Sequence, residues 1–507
     1  MKLKNRVAFV SMAIVFAACT SDDDNNGGEE IPPSTDVNFA YVTTINAGGT
    51  TEISAFDAET NKLFTVNPDN NEVMVFDLSN PSTPSQLGTI DVSAVGTPNS
   101  VSVKNGLLAV AVEASNKQSN GSVMVYNAAS QALQNNYTVG ALPDMVIFSP
   151  DGKYMVTANE GEPSSDYLND PKGSISIIEV ASGAVSTLTF DAFEAQETTL
   201  KENGFRVFGP NASLAQDVEP EYVAISDDSK TAWVTLQENN GIAKVNLASK
   251  EIEAIYPLGF KDHSLAENML DASDKDDMTE LRNWPVLGIY HPDAIEYINV
   301  DGVSYIITAN EGDARDYDAF SEEERVEDIT LDPTAFPDAE VLQAKENLGR
   351  LKITSTMGDT DMDGDYDKLY AYGARSFSIW SENGSLVYDS GSDISQKVLE
   401  FTPGSFNADE GEVDGRSDDK GAEPEAVEIL KVGERAVLFV GLERNSQVMV
   451  YDITNPTAPA FIQILERAGD MAPEGVLAIA ASDSPTEKEL LIVTHEDSGT
   501  ISIYENK

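Results

Sequence analysis

The chain has 507 residues and a formal net charge of −54 at pH 7, with 86 acidic and 32 basic side chains. This charge argues against nucleic acid as a partner, because phosphate binding depends on Lys and Arg side chains that displace counterions. It is compatible with cation binding or with a soluble, self-repelling surface. An apolar content of 41% predicts a packed core rather than a disordered acidic chain.

The N-terminus predicts export and lipid attachment. Three basic residues at positions 2, 4 and 6 precede an apolar run over 7–16 and the sequence Ala17-Ala18-Cys19. This arrangement is typical of a bacterial lipoprotein signal peptide, and the run is too short to span a bilayer. We expect cleavage after residue 18 and a lipid on Cys19, which anchors the protein to a membrane. The alternative, an intracellular reactive thiol, disagrees with the position of Cys19 in the chain.

The segment that follows predicts a tether and a cell-surface location. Residues 19–37 begin with Cys19 and continue with acidic, Asn and Gly residues, a composition typical of a flexible linker. An acidic run directly after a lipidated Cys resembles the surface-export signal of some bacterial lipoproteins. We therefore expect an outer-membrane lipoprotein exposed at the cell surface, with residues 38–507 forming a single domain. Since Cys19 is the only cysteine, no disulfide can cross-link that domain.

One strand pattern recurs along this domain. In its clearest copy a strand begins at Pro143-Asp144, a Pro-Asp-Gly-Lys turn follows at 150–153, and a returning strand ends at Asn159-Glu160-Gly161. A third strand follows at 173–179. Six further copies begin near residues 52, 97, 219, 291, 423 and 472.

Short antiparallel strand sets repeated at this spacing predict an all-β fold, a β-propeller with acidic loop insertions. Seven copies predict seven blades. In the copy near residue 291, the third strand is assigned to 350–354. A strong additional hairpin over 369–388 either completes a blade or forms an eighth. Short surface helices are predicted at 321–325 and 338–346.

An acidic loop near the middle of the chain predicts a calcium site. Carboxylates alternate with other residues in the pattern D-x-D-x-D-G-x-x-D, at Asp359, Asp361, Asp363, Asp365 and Asp367. Calcium takes six or more oxygen ligands, and such a loop wraps several of them around one ion. Tyr370 occupies the position of the closing Glu of an EF-hand, so the loop is more similar to the calcium loops of integrin-type propellers. The alternative is a solvated acidic turn.

Two further sets of carboxylates recur with the repeat. Acidic residues follow the proline at the start of first strands and also stand where second strands end. In a propeller both positions lie on the same face, so both sets are expected to meet at one mouth of the central channel. Confined like charges require bound cations or raised pKa values. The first set is Asp144, Glu221, Asp293, Glu425 and Glu474, and the second set is Glu113, Glu160, Glu238, Glu311, Glu443 and Glu496.

These carboxylates have two interpretations. In the functional one they bind a metal or a cationic ligand, with His291 and His495 as further ligands or acid–base groups. In the structural one they accept hydrogen bonds from backbone N–H groups and hold neighbouring blades together. Arg315, Arg375 and Arg444 are either counter-charges for these acids or binding groups for an anion.

Five motifs together resemble one family. They are Ala-Asn-Glu-Gly-Glu at 158–162, Glu-Pro-Glu-Tyr-Val-Ala at 219–224, the segment 284–293 ending in His-Pro-Asp, Ile-Thr-Ala-Asn-Glu-Gly-Asp-Ala-Arg-Asp-Tyr at 307–317, and Tyr-Gly-Ala-Arg-Ser-Phe-Ser-Ile-Trp at 372–380. They resemble the choice-of-anchor I family, which is related to mesenchyme-specific cell-surface glycoproteins linked to calcium biomineralisation. The resemblance covers residues from about 38 to the C-terminus and implies a propeller fold, export and surface anchoring.

The sequence thus favours a surface-anchored, calcium-binding β-propeller lipoprotein that binds a cationic or metal-bridged ligand or partner through its acidic face. A first alternative is a calcium-dependent phosphoesterase similar to propeller phytases, in which rim carboxylates hold metals that polarise phosphate and activate water. Some relatives carry an alkaline-phosphatase label, but the chain has no serine-nucleophile motif of that kind. A second alternative is a purely structural surface protein.

Overall fold

The computed structural model describes residues 36–507. The predicted signal peptide, the lipidation site Cys19 and the tether up to residue 35 lie outside the described residues. Within 36–507, no helix combines the length and the apolar character that crossing a membrane requires.

In the described part of the chain, seven four-stranded antiparallel sheets form a ring, and we call them blades one to seven. Their strands, from the channel outward, are as follows. Blade one contains Ser54–Asp57, Lys62–Asn67, Glu72–Asp77 and Ser85–Asp91. Blade two contains Gly96–Lys104, Leu107–Ala114, Asn120–Asn127 and Leu133–Ala141. Blade three contains Pro143–Phe148, Tyr154–Asn159, Ser174–Glu179 and Val185–Thr189. Blade four contains Pro220–Ile225, Thr231–Leu236, Gly241–Asn246 and Glu251–Pro257, and blade five contains Pro292–Val300, Val303–Asn310, Ser376–Ser381 and Leu386–Asp389. Blade six contains Pro424–Val432, Arg435–Leu442, Gln447–Asp452 and Ala460–Glu466. Blade seven contains Pro473–Ile479, Leu490–His495, Thr500–Asn506 and Phe39–Asn46.

The two ends of the described chain meet in blade seven. The strand Phe39–Asn46 pairs antiparallel with the C-terminal strand Thr500–Asn506, with Phe39 opposite Asn506 and Asn46 opposite Thr500. The inner strands of blades one and seven also contact each other. The ring is therefore closed by non-covalent contacts, and the predicted β-propeller fold is confirmed.

Burial explains the apolar runs in the sequence. The middle strands of each blade are covered on both faces by neighbouring blades, so Lys62–Asn67 and Arg435–Leu442 are almost entirely buried beyond their first residue. Outer strands have one face in solvent, and Val185–Thr189 alternates between exposed and half-buried residues. Core clusters fill the spaces between adjacent blades.

Insertions between the blades form a smaller structure on one face. A five-stranded sheet contains, in order, Phe260–Asp262, Leu287–Ile289, Tyr370–Ala371, Lys352–Thr354 and Glu323–Arg325. Its own core includes Leu348, Leu351 and Phe336. The other inserted elements are the α-helices Glu197–Glu202, Leu214–Asp217, Ala339–Leu342 and Asp393–Phe401, the 3-10 helices Phe190–Gln196, Val326–Asp328 and Pro403–Ser405, and the hairpin Asp316–Tyr317 with Phe320–Ser321. A further 3-10 helix, Pro68–Asn70, forms the turn between two strands of blade one.

Two local predictions are wrong in this region. The third strand of blade five is Ser376–Ser381 rather than 350–354, because Lys352–Thr354 joins the inserted sheet. The hairpin over 369–388 therefore supplies the third and fourth strands of blade five. The segment 321–325 contains the strand Glu323–Arg325 instead of a helix, whereas Ala339–Leu342 is helical as predicted.

Ring closure generates a stability prediction. Phe39 is 3% exposed and packs edge-to-face against Phe439, with ring centroids 5.0 Å apart. Replacing a buried Phe by Ala typically costs about 3 to 5 kcal/mol, so we expect Phe39→Ala to lower the free energy of unfolding by that amount in urea titrations. Tyr41→Ala, on the same strand but 41% exposed, is the control and should cost far less. Equal effects of the two changes would contradict closure through a packed Phe39.

Candidate cation site in the central channel

The inner strands share a backbone irregularity that places one carboxylate of each strand. In blades three to seven the pairing of the inner strand with its neighbour shifts immediately after the proline, for example between Pro143 and Met145 and between Pro424 and Val427. A β-bulge of this kind re-aims the side chain of the extra residue. Proline is tolerated there because the inner strand is a sheet edge that needs no N–H at that position.

The residue before the proline contributes to the same turn. In four blades it has a left-handed backbone conformation, with φ of 49° at Leu142, 45° at His291, 50° at Glu423 and 58° at Ala472. Non-glycine residues adopt this conformation only at a cost, so the surrounding structure must hold it. The turn and the bulge together direct the acidic residue after the proline toward the channel axis.

Seven carboxylates converge on one cavity of about 180 Å³ in the channel. We call them the acid ring, and they are Asp144, Glu160, Glu221, Asp293, Glu311, Glu425 and Glu474. Tyr222, Gln237, Ala294 and Ala426 complete the lining. All five predicted carboxylates after the proline are present, together with Glu160 and Glu311 from the ends of second strands.

The acid ring has little compensating charge. Among residues 36–507, Lys420 is the only basic residue within 4 Å of it, at 3.5 Å from Glu311. Gln237 donates a hydrogen bond of 2.7 Å to the same carboxylate. Oε2 of Glu425 is buried and has no hydrogen-bond partner among the described residues. The ring is therefore a concentration of oxygen ligands with few internal donors.

The pKa values of the ring carboxyls respond to this confinement. Desolvation in the channel, followed by repulsion from Glu474, raises the pKa of Asp144 to about 7. Desolvation likewise raises the pKa of Glu311 to about 7, although Lys420 opposes the shift. The pKa values of Glu160, Glu221 and Asp293 are also raised, first by desolvation and then by neighbouring carboxylates. A bound cation would relieve the same repulsion that protonation relieves.

Four of the predicted second-strand acids do not line the cavity. Glu113 lies near Lys117 at 3.7 Å, and Glu443 forms an ion pair of 2.9 Å with Arg444. Glu238 is 7% exposed, and its pKa is raised to about 7 by burial although Arg315 opposes the shift. For Glu496, burial and then the charge of Glu474 raise the pKa. Of the second set, only Glu160 and Glu311 therefore line the cavity.

The two candidate histidines are buried outside the cavity lining. Nδ1 of His291 accepts a hydrogen bond from the backbone N–H of Asp313, and its Nε2 lies 2.8 Å from Arg206. Burial, reinforced by the charge of Arg206, lowers the pKa of His291. His495 is 4% exposed, with Nδ1 3.3 Å from the carbonyl oxygen of Thr500. Neither imidazole is placed to join the acid ring.

The three candidate arginines are engaged within the fold. Arg315 pairs with Asp217 at 2.7 Å and with Glu219 at 3.0 Å. Arg375 donates to the backbone carbonyls of Asp271, Ser417 and Asp419. Arg444 pairs with Glu443 and lies 3.4 Å from Glu423. Counter-charge and loop attachment, rather than anion binding, account for these contacts.

Sequence reasoning missed two acidic residues of this face. Glu52 precedes the inner strand of blade one, and desolvation together with repulsion from Glu474 and Asp144 raises its pKa to about 9. Its copy of the repeat lacks the proline, so alignment on strand position rather than on proline would have found it. Glu423 is fully buried, and one oxygen of each of Glu311, Glu423 and Glu443 lies within 4.8 Å of the others.

The predicted calcium loop brings its carboxylates together at the surface. Oxygens of Asp359, Asp361 and Asp367 lie within 4.8 Å of one another, and Asp365 and Asp367 form a second such group with Asp332. Both carboxylate oxygens of Asp359 accept backbone N–H groups, from Asp363 at 3.2 Å and from Gly364 at 3.1 Å. Gly364 has a φ of 101°, which favours glycine at this tight turn.

Electrostatic repulsion also marks this loop. The pKa of Asp361 is raised, chiefly by the neighbouring Asp363. In contrast, hydrogen bonds from the side chain and the backbone of Thr360 lower the pKa of Asp367. Asp363 belongs to neither oxygen group, and its Oδ1 accepts the backbone N–H of Asp365. Calcium binding by the five aspartates remains a prediction, to which the structure adds Asp332.

Asp144 generates a pH prediction for chelator-treated protein. The pKa of Asp144 is raised in the folded state, so its contribution to stability is present at low pH and is lost as pH rises toward 7. We expect the free energy of unfolding to fall between pH 4.5 and pH 7.5. Asp144→Asn should reduce this fall by about 2 to 4 kcal/mol, at about 1.4 kcal/mol per pKa unit. Urea unfolding at both pH values measures the difference.

The control for this experiment is Asp318→Asn, which changes an exposed carboxylate away from the channel. It should show the same pH dependence as the unmodified protein. If Asp144→Asn also leaves the pH dependence unchanged, Asp144 does not titrate in a confined ring.

Comparisons with known proteins agree with this architecture. Gigasin-3a of Magallana gigas is 31% identical over 182 residues, which cover 31% of this chain and 64% of that protein. The mesenchyme-specific cell surface glycoprotein of Strongylocentrotus purpuratus is 25% identical over 335 residues, covering 59% of this chain and 41% of that protein. The matched regions thus span less than two thirds of each of these relatives.

The structural alignment covers more of this chain than the sequence alignments do. Hydrazine synthase of Kuenenia stuttgartiensis aligns with a TM-score of 0.51 at 12% identity, over 92% of this chain and 97% of that chain. At this identity the likeness concerns the fold alone. The family model of the choice-of-anchor I domain matches residues 52–456, which include the acid ring up to Glu425 and the calcium loop. The resemblance drawn from the five sequence motifs is confirmed: the chain belongs to the choice-of-anchor I domain family.

Proposed function

We propose that this protein is a calcium-binding surface propeller that binds a cation, or a cationic or metal-bridged partner, at the acid ring. The observation that carries the proposal is the convergence of seven carboxylates on one cavity where, among residues 36–507, only Lys420 brings a basic group within 4 Å. Like charges at this density raise the free energy of the empty, ionised site. Binding a cation lowers it.

The surface loop supports calcium as the cation. Calcium prefers carboxylate and carbonyl oxygens in a flexible shell. Asp367 offers such oxygens in two neighbouring groups, one with Asp359 and Asp361 and one with Asp332 and Asp365. The acid ring is composed of the same ligand type. Its lining contains no imidazole or thiol, which are the ligands that zinc and copper favour. Both places therefore suit a hard cation.

The geometry favours binding over phosphoester hydrolysis. An anionic substrate would be repelled by the acid ring unless several cations occupied it first. The ring lining provides oxygen ligands, Tyr222 and Gln237, and the nearby arginines are already paired. A hydrolase would need a cluster of metals at this position to attract the phosphate and to activate water.

A cell-surface location follows from the family and from the N-terminal sequence. The family is named for domains with varied anchors, and one matched relative is a cell surface glycoprotein. For this chain we propose that the anchor is a lipid on Cys19 in the outer membrane, with the acidic residues after it as a tether. The net charge of −54 keeps such a domain soluble and attracts cations to it.

Calcium titration of chelator-stripped protein tests the binding proposal. We expect at least two classes of site by calorimetry. Asp361→Ala should abolish calcium binding at the surface loop. Glu160→Gln combined with Glu311→Gln should abolish calcium binding in the channel. The two losses should be separate, because each change removes ligand charge from one place only. Asp316→Ala, an exposed acidic residue outside both groups, is the control and should retain both classes.

Absence of calcium binding in the unmodified protein would overturn the proposal as a whole. If the double channel variant binds calcium like the unmodified protein, the acid ring is not a cation site and the surface loop alone binds. Three or more channel sites would instead justify a screen of phosphoester substrates.

Membrane fractionation tests the anchor. In a bacterial host with lipoprotein export, Cys19→Ala should move the protein from the membrane fraction to the soluble fraction, because the lipid attaches to that thiol. Ser21→Ala, two residues away, is the matched control and should leave the protein with the membranes. Membrane association that survives Cys19→Ala would contradict a lipid anchor on this residue.

A further inference from the structure

A second polar cavity lies beside the channel on the same face. It has a volume of about 360 Å³, within the range of small-molecule sites. Three segments line it: residues 404–411 of the insertion after blade five, the turn Arg444-Asn445-Ser446 of blade six, and residues 466–471 between blades six and seven. Arg444 connects it to the acidic face, since this side chain also pairs with Glu443.

Asn445 in this cavity wall has an unsatisfied side chain. It is 3% exposed, and neither Oδ1 nor Nδ2 has a hydrogen-bond partner among the described residues. An unpaired buried polar group lowers the stability of the fold, so an entire unpaired amide is unusual in a folded protein. The nearby Gln447 has a similar deficit: its Nε2 donates to Glu466 at 2.7 Å, but its Oε1 lacks a partner.

Some charged side chains of the cavity already form ion pairs or hydrogen bonds, and others do not. Arg444 is paired with Glu443, and Asp470 accepts a hydrogen bond of 2.9 Å from Thr500. Arg467 is exposed, lies 4.4 Å from the ring centroid of Tyr41, and forms no ion pair within residues 36–507. Glu410, likewise exposed, forms none in the same part of the chain. Within residues 36–507, Arg467 and Glu410 thus form no ion pair and the amide of Asn445 has no hydrogen-bond partner, so these three groups can contact a ligand.

These groups select a neutral ligand rich in hydroxyls. The cavity wall carries both signs of charge, with Arg444 and Arg467 on one side of the balance and Glu410, Glu466 and Asp470 on the other, so neither an anion nor a cation is favoured there. A side-chain amide presents one acceptor and one donor along the same edge. Two hydroxyls on adjacent carbons match that edge, because one can donate to Oδ1 while the other accepts from Nδ2. A secondary amide cannot, since its N–H and C=O point in opposite directions.

We propose that the cavity lined by Asn445 and Arg467 is a saccharide-binding site, in which a pair of adjacent hydroxyls of a neutral sugar satisfies the amide of Asn445. Arg467 and Glu410 would then donate to and accept from further hydroxyls at the open side of the cavity. The site does not depend on a cation in the acid ring, so it is tested with a chelator present.

Saturation-transfer difference NMR on the full chain in EDTA tests this inference. The ligands are methyl α-mannopyranoside, methyl β-galactopyranoside and methyl α-fucopyranoside, each of which carries adjacent hydroxyls. We expect at least one of them to bind, and its fully O-methylated form to bind at least tenfold more weakly because it can no longer donate to Oδ1. Asn445→Ala should weaken binding of the same glycoside at least tenfold.

Two variants separate recognition from folding. Asn135→Ala, an exposed Asn on the outer strand of blade two, is the control and should bind like the unmodified protein. Arg467→Gln changes an exposed side chain, so it leaves the fold intact even if Asn445→Ala does not, and it should weaken binding several-fold. Lack of binding by all three glycosides would overturn the proposal and would mean that water forms the hydrogen bonds of the Asn445 amide. Equal binding of the O-methylated form, or undiminished binding by folded Asn445→Ala or by Arg467→Gln, would also overturn it.

Discussion

Closure of the ring is the constraint on which the other features depend. The strand Phe39–Asn46 completes a sheet whose other three strands lie at the far end of the chain, and the chain has only one cysteine. Joining segments this far apart costs loop-closure entropy, which only the packing between blades can offset. Once the ring is closed, seven inner strands surround one axis. Equivalent positions of the repeat then lie close together even where hundreds of residues separate them.

The acid ring is a direct consequence of that symmetry. A carboxylate that follows a proline and a β-bulge would be unremarkable in an isolated sheet, since it would face solvent. Around a closed axis the same position places Asp144, Glu221, Asp293, Glu425 and Glu474 in one cavity. The repulsion raises the pKa values of these groups and lowers the stability of the ionised state. A structural role alone would be served as well by neutral hydrogen-bonding residues, and for this reason we favour a function that uses the charge.

The sequence was sufficient for the parts of this arrangement that the repeat encodes. Strand spacing identified the propeller, and the position after the proline identified all five inner-strand carboxylates. The ends of the second strands were less predictable because the repeat does not encode their partners. Arg444, in a turn of blade six, pairs with Glu443, and Arg315, in the insertion of blade five, lies against Glu219 near Glu238. The third strand of blade five was misassigned for a related reason. The inserted sheet interrupts the repeat between Asn310 and Ser376, and its strand Lys352–Thr354 has the same local pattern as a blade strand.

The distribution of the few basic residues separates two kinds of acidic site. Buried arginines fasten the insertions: Arg206 pairs with Glu322, Arg315 with Asp217, and Arg375 with three backbone carbonyls. These carboxylates and carbonyls are already satisfied and have little to gain from a metal. The acid ring is excluded from this pairing except at Glu311, where Lys420 also reaches Asp313 at 3.2 Å and Glu423 at 3.6 Å. A cation in the channel would therefore compete with Lys420 for Glu311, whereas the other six carboxylates form no ion pair within residues 36–507.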